Sequence, residues 1–453
     1  MAVAKLTILH LGLGSFHRAH QAAYLQALID LGDRQWTLAA GNIRDDMTDV
    51  ERALVGQGGR YVLETVTAAG RRTYRSIDAI QRILPFSPDL AAHVAVGVDP
   101  NTRIISMTVT EGGYFLAPDG ALLEDAPDVA ADLTTGSHRS LYGALSLILT
   151  ARMKADAGPV TLLSCDNLLA NGARLSAGLR AFLSARREPA LQAWCADNVT
   201  TPSAMVDRIT PRPPPELAAR VAGAVGWSDA CPVMAEDFCQ WVIEDRFAAG
   251  RPALQRVGVQ FVADVAPYEK AKIRILNACH SAIAWWGACK GYAFVHESVA
   301  DPAISDIARA YINDAVIPCL SPSPLDLKAY GETTLRRFAN ANIRDTIERV
   351  ASDSWTKISA FIAPTLMGCR DQGLPLDAAA MLPALFLGFI QRWQMGALPF
   401  SLRDPAMDDQ ALLAILSSVD PVSALCAERR LWGRLAGDPG FVAAVRAGYH
   451  RLA

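Results

Sequence analysis

Leu6-Thr7-Ile8-Leu9-His10-Leu11-Gly12-Leu13-Gly14-Ser15-Phe16-His17-Arg18-Ala19-His20 opens the chain on an apolar strand that runs directly into a glycine turn. A helix is predicted to follow over residues 17–31. A second apolar run, Trp36-Thr37-Leu38-Ala39-Ala40, then ends in Gly41-Asn42-Ile43-Arg44-Asp45-Asp46. Strand, glycine turn, helix, strand is the opening of a dinucleotide-binding βαβ unit. Gly12 and Gly14 occupy the first two positions of G-x-G-x-x-G, and His17 stands at the third. The first glycine permits a positive φ, and the second lets the backbone approach a pyrophosphate closely. The helix start supplies N–H groups and partial positive charge to the phosphates. A G-x-G alone is a weak signal, but here a strand precedes it and a helix follows. Phe16, His17 and Arg18 lie in the same motif, and Arg18 is expected to add a cation at the rim. Asp45 and Asp46 stand ~30 residues beyond the glycines, somewhat past the usual ~20, as acceptors for ribose hydroxyls that repel a 2′-phosphate. They favour NAD over NADP, while Arg44 dissents as a residue able to accept that phosphate.

Working outward, further short strands are predicted at 61–66, 103–109 and 160–165, with helices between them, as over 140–154. Alternation of this kind persists to about residue 265 and argues for an α/β domain. Thr108-Val109-Thr110-Glu111-Gly112-Gly113-Tyr114 follows a strand, and ligands sit outside the carboxyl ends of parallel strands. Thr110 and Glu111 are therefore cofactor-contact candidates, with a simple turn as the plain alternative. After Pro267 the character changes to successive helices at about 268–290, 301–315, 341–351, 376–394, 408–417, 421–435 and 439–451. The expected organisation is a Rossmann-type NAD-binding domain over 1–267 and a mostly α-helical substrate and catalytic domain over 268–453. A chain of 453 residues is too long for one ordinary core.

Composition narrows the function classes. The chain is 51% hydrophobic and 20% charged with a net charge of −3. There is no basic excess to recruit nucleic acid. No uncharged apolar run is long enough to span a membrane, and the first residues lack the apolar stretch and cleavage site of a signal peptide. Nine cysteines are scattered singly, with no C-x-x-C pair, which fits reduced thiols in a cytoplasmic enzyme. The eight histidines and nine cysteines show no zinc-ligand spacing, so no metal is expected.

The densest chemistry lies in Glu269-Lys270-Ala271-Lys272-Ile273-Arg274-Ile275-Leu276-Asn277-Ala278-Cys279-His280, predicted as one regular helix. With Lys272 at zero, Leu276 lies at ~40°, Glu269 at ~60°, His280 at ~80° and Asn277 at ~140°. A carboxylate, an ammonium, an amide and an imidazole thus share one side of a helix that is otherwise apolar. Apolar surroundings disfavour a charged lysine, which is what a general base working near neutral pH needs. Taken singly, each residue reads as a surface lysine or a core histidine; together with the N-terminal motif they point to catalysis. Asn167, after the strand at 160–165, offers an amide to stabilise an alkoxide or carbonyl oxygen. Asp207 and Arg208 are neighbours, readable either as a hydroxyl acceptor beside a cation or as a structural ion pair. Arg344, Asp345, Glu348, Arg349 and Lys357 read most simply as solvated helix charges.

These residues, taken together, resemble the polyol-specific long-chain dehydrogenases, the mannitol dehydrogenase family. The resemblance is carried by Gly12-x-Gly14-x-Phe16-His17-Arg18-Ala19-His20, Thr110-Glu111-Gly112-Gly113-Tyr114, Cys165-Asp166-Asn167, Met205-Val206-Asp207-Arg208-Ile209-Thr210-Pro211 and Lys272-x4-Asn277-x2-His280, in family order over most of the chain. Strings such as Gly59-Arg60-Tyr61-Val62-Leu63-Glu64-Thr65-Val66 and Ala380-Met381-Leu382-Pro383-Ala384-Leu385-Phe386 are most similar to its D-arabinitol-oxidising branch. The resemblance implies NAD-dependent oxidation of a sugar alcohol to a ketose, D-arabinitol to D-xylulose first among them. The alternatives are a mannitol 2-dehydrogenase, a fructuronate or tagaturonate reductase, or, remotely, a non-catalytic NAD(H) sensor. It implies Lys272 as general base, Asn167 and Asn277 as the oxyanion hole, His280 as the substrate-orienting group and Glu269 as the proton relay. Asp207, Arg349 and Lys357 match family positions near the remaining substrate hydroxyls. The family works without a metal, as a monomer or small homo-oligomer.

Overall fold

The computed structural model describes residues 5–117, 120–398, 400–402, 404 and 407–452. Its strands are β1 (Leu6–Leu11), β2 (Trp36–Gly41), β3 (Tyr61–Val66), β4 (Arg72–Ile77), β5 (Ile80–Leu84), β6 (Thr102–Met107), β7 (Val160–Ser164), β8 (Val199–Thr200), β9 (Ala204–Asp207), β10 (Val233–Glu236), β11 (Gln240–Glu244) and β12 (Gln260–Val262). Six of them form one parallel sheet in the order β5-β2-β1-β6-β7-β8. β1, β2 and β7 are almost wholly buried, as parallel strands covered on both faces must be. The order reverses direction at β1 and β6, where an open α/β sheet binds its ligand. The run at 61–66 is a strand as expected, but it joins a separate three-stranded sheet, β10-β3-β4; β9, β11 and β12 make a third.

Chain contacts divide the protein into two compact units, Met1–Val66 with Arg72–Ala266, and Thr67–Arg71 with Pro267–Ala453. The first holds the sheets. One of its helices starts on a side-chain cap: Ser140 Oγ accepts the Gly143 N–H at 3.1 Å to open the helix Leu141–Lys154. The helix predicted over 17–31 is instead two, Ser15–Ala19 and Gln21–Asp30, broken at His20 with φ −118° and ψ −82°.

The second unit is helical, built around Ala278–Cys289 and Asp377–Gln394, which pack on each other through Trp285, Phe386 and Phe389. The buried Trp285 ring donates its Nε1–H to Ser354 Oγ at 2.7 Å, so its polar atom is satisfied at full burial. The stretch expected as a regular helix at about 268–290 is α-helical over Ala266–Ala271, π-helical over Lys272–Asn277 and α-helical again over Ala278–Cys289. Two more π-helical segments, Tyr311–Val316 and Ile358–Ile362, pack against it. The helix expected at 341–351 is confined to Ile347–Ala351, and that at 421–435 is broken into Pro421–Ala427, Arg429–Trp432 and a 3-10 turn. No described helix is long and apolar enough to cross a membrane.

Candidate active site

In the first unit, a cleft of 530 Å³ opens at the carboxyl ends of β1, β2 and β6. Gly12, Gly14, Asn42, Asp46, Thr110 and Arg139 are among its lining. Gly12 has φ +128°, and a Cβ there would lie 2.8 Å from the carbonyl oxygen of Thr108; only glycine fits this turn. Gly14 has open space where its side chain would be, so the backbone faces the cleft bare. Asn42 fixes the turn by accepting the Leu13 N–H at Oδ1, 2.9 Å away. Its Nδ2 is buried without a hydrogen-bond partner. An orphaned buried donor is costly, and here it is one a polar ligand in the cleft would satisfy. A bare glycine backbone, an unpaired amide donor and an acidic residue at the end of β2 fit the phosphates and ribose of a dinucleotide.

The other side chains of the glycine motif lie elsewhere. Arg18, expected at the rim, is buried: Nε donates to the Leu13 carbonyl at 3.0 Å, Nη1 to the Cys231 carbonyl, and the guanidinium lies over the Tyr61 ring. His17 is fully buried and stacked on His10 with centroids 3.4 Å apart. Burial lowers its pKa to about 3, which keeps the ring neutral near neutral pH. Phe16 stacks on His20 at 5.0 Å. The break at His20 folds these side chains into the unit's core, so the motif presents backbone rather than charge to the cleft. Asp46 lines the cleft, whereas Asp45 is exposed outside the lining.

The loop after β6 is held by a residue whose duty the sequence did not announce. Asp166, buried at the end of β7, accepts the N–H groups of Thr110 at 2.9 Å and Val109 at 3.1 Å, and the Tyr114 hydroxyl at 2.9 Å. It holds Thr110 at a positive φ of 66° and places the next residue, Asn167, so that its Nδ2 reaches Glu111 Oε1 at 3.4 Å. Asp207 is buried at the end of β9. Arg208 spends its guanidinium on the carbonyls of Glu236 and Ala19.

In the second unit, Lys272 and Glu269 are buried on the helix that carries Asn277 and His280. An i→i+5 segment spreads one turn over more residues than an α-helix, so each advances by less than ~100°. Over Lys272–Asn277 this draws Asn277 back toward the meridian of Lys272, correcting the ~140° separation of a regular helix. His280 packs flat on Phe338 at 4.6 Å, with Nε2 3.2 Å from Asp345 Oδ2. Asp345 is no solvated charge. It is one-tenth exposed, and Arg349 binds it with two bonds of 2.7 and 2.6 Å. Burial alone would raise its pKa, but His280 and Arg349 override this and hold it at about 2. Burial lowers the pKa of His280 despite that partner. Lys357 donates to the carbonyls of Val350 at 2.7 Å and Ser352 at 2.5 Å, fastening the end of the helix Ile347–Ala351. The candidates thus gather within each unit: a glycine cradle with Asn42, Asp46 and Thr110 in one, Lys272 with Glu269, Asn277 and the His280–Asp345–Arg349 chain in the other.

Comparison with known proteins bears directly on this arrangement. Residues 6–256 match the mannitol dehydrogenase Rossmann domain, and residues 264–453 the mannitol dehydrogenase C-terminal domain. The chain belongs to the mannitol dehydrogenase family. It is 54% identical to a D-arabinitol 4-dehydrogenase of Ralstonia nicotianae, over 98% of this chain and 96% of that protein. A D-arabinitol 4-dehydrogenase of Klebsiella pneumoniae is 48% identical over 98% of this chain and 97% of its own. Among solved structures, Pseudomonas fluorescens mannitol 2-dehydrogenase, in a ternary complex with NAD and D-mannitol, superposes with a TM-score of 0.84 at 34% identity, covering 100% of this chain and 92% of that one.

Proposed function

We propose that this member of the family oxidises D-arabinitol to D-xylulose with NAD as acceptor. The 54% identity to a D-arabinitol 4-dehydrogenase over nearly the whole chain carries the choice of substrate. The cleft of the first unit holds the cofactor: Gly12 and Gly14 admit the pyrophosphate, Asn42 Nδ2 donates to it, and Asp46 accepts from the ribose. NAD, when bound, accepts the hydride leaving the carbinol carbon. Lys272, as the neutral amine, takes the hydroxyl proton and becomes the ammonium. Asn277 donates an amide hydrogen to the developing alkoxide, and Asn167 is assigned the same duty from its place after β7. Glu269, one turn before Lys272, passes the proton on to water. His280 hydrogen-bonds the substrate near the reacting carbon, its ring fixed by Phe338 and Asp345. Ketose reduction runs the same steps backwards, with the ammonium as acid. Asp207 is proposed for the distal hydroxyls.

Arg349 and Lys357 are the cations a uronate carboxylate would need, and both are engaged within the second unit. Their engagement favours an uncharged polyol over a uronate. Nine unpaired cysteines support a reducing, cytoplasmic setting. The decisive assay follows NADH absorbance with D-arabinitol, D-mannitol and D-sorbitol, and the reverse reaction with fructuronate and tagaturonate. Fastest turnover on D-arabinitol is expected, unchanged after dialysis against EDTA. Turnover confined to the uronates would overturn the proposal.

A further inference from the structure

Arg44 stands just past β2 in the lining of the cofactor cleft, where a guanidinium meets a 2′-phosphate in enzymes that use NADP. It is not free to do so. Its Nη1 lies 3.0 Å from Asp128 Oδ2 and its Nε 3.6 Å from Asp46 Oδ2. Asp46 is its near neighbour in sequence. Asp128 comes from 84 residues further on, in the first turn of the helix Pro127–Thr135, and is itself part of the cleft wall. The Asp128 side chain is 25% exposed against 55% for Arg44, so the aspartate is the firmer of the two and Arg44 is the one held.

We propose that Asp128 is a specificity-determining residue for the cofactor: by binding Arg44 it withholds the cation that follows β2 from a 2′-phosphate. This rests on the reading of the cleft as a dinucleotide site. Arg44 with its two aspartates carries a net charge of −1. A phosphate monoester carries about −2 near neutral pH, so it meets repulsion and finds the guanidinium's donors committed. Without the Asp128 charge the cluster becomes neutral and Nη1 turns free. Ribose hydroxyls, being uncharged, are far less sensitive to that change.

The test is calorimetric titration of the intact enzyme with NAD and with NADP, which differ only in the 2′-phosphate, in the absence of any polyol. Asp128→Asn is expected to raise the affinity of NADP relative to NAD roughly tenfold, the scale of one charge acting on a phosphate near a protein surface. That gain should shrink at high ionic strength. Asp128→Glu, which keeps the carboxylate, should retain the wild-type ratio. Asp128→Asn combined with Arg44→Ala should lose the gain, since the released cation is absent. An unchanged ratio in Asp128→Asn with NAD still bound would overturn the proposal. So would a gain that survives the loss of Arg44, because Asp128 would then act as a bare charge and not by holding the arginine. A wild-type protein that binds neither nucleotide would overturn the dinucleotide reading itself.

Discussion

Lys272→Ala is expected to lower kcat by roughly 10²–10⁴, the usual contribution of a general base, and to leave the NAD dissociation constant unchanged. Steady-state kinetics beside a cofactor titration checks both, and near-normal turnover would remove Lys272 from the mechanism. Asp345 offers a different test. Its pKa of about 2 lies below the ordinary carboxylate value. Its pairing with His280 and Arg349 therefore stabilises the fold above the unfolded pKa of ~3.9 and is lost as pH falls toward 2, a contribution on the order of 2 kcal/mol. His280, whose pKa is lowered, adds a loss of the same sign as pH falls below ~6.5. Denaturant unfolding of Asp345→Asn should show a flatter acid dependence between pH 4 and 2, with lower activity at neutral pH because His280 loses its fixed partner. Lys272, Asn277 and His280 could be grouped in the sequence because their spacing is local, and the structure keeps them along one helical stretch. Asp345 was not, since its pairing with His280 is made by folding and nothing near it in the chain separates a buried partner from a solvated charge. Arg18 misled for the same reason: its binding sites are the carbonyls of Leu13 and of the distant Cys231.

The π-helical segment Lys272–Asn277 sets the phase between Lys272 and the groups after it. Inserting one alanine between Ile273 and Arg274 should rotate Lys272 by roughly 100° relative to Asn277 and His280. We expect that variant to retain cooperative unfolding and helical circular dichroism, with turnover no better than Lys272→Ala. Wild-type-like activity would show that the register of the helix is immaterial. Such segments are frequent at functional sites, yet Lys-Ile-Arg-Ile-Leu-Asn bears no mark of one. A π turn differs from an α turn by a single shift in hydrogen bonding, which packing against Tyr311–Val316 and Ile358–Ile362 decides. Four strands of the parallel sheet, β1, β2, β6 and β7, were readable because each is a compact apolar run beside a turn; β5, interrupted by Gln81 and Arg82, and the two-residue β8 were not. The departure of β3 into another sheet was not, because its partner β10 lies far along the chain.

The α/β unit followed by a helical unit was visible as a change from alternating elements to successive helices near Pro267, since periodicity survives in sequence where contacts do not. Cofactor binding gives a readout for the intact protein. A ligand that binds only the native state stabilises it by about 2.7 kcal/mol at a hundredfold excess over Kd. The thermal midpoint is accordingly expected to rise by several degrees with saturating NAD. Scanning calorimetry checks this, and an unmoved midpoint would argue against the cleft at Gly12 as the cofactor site. Both ends of the six-stranded sheet are blunted. β8 is two residues long, and β5 at the other end exposes Gln81 and Arg82. Neither margin offers an incoming segment a long, flat, apolar row of backbone groups to template on, which is how native sheets avoid polymerising edge to edge. Copies of this enzyme are thereby denied backbone pairing along either margin of that sheet.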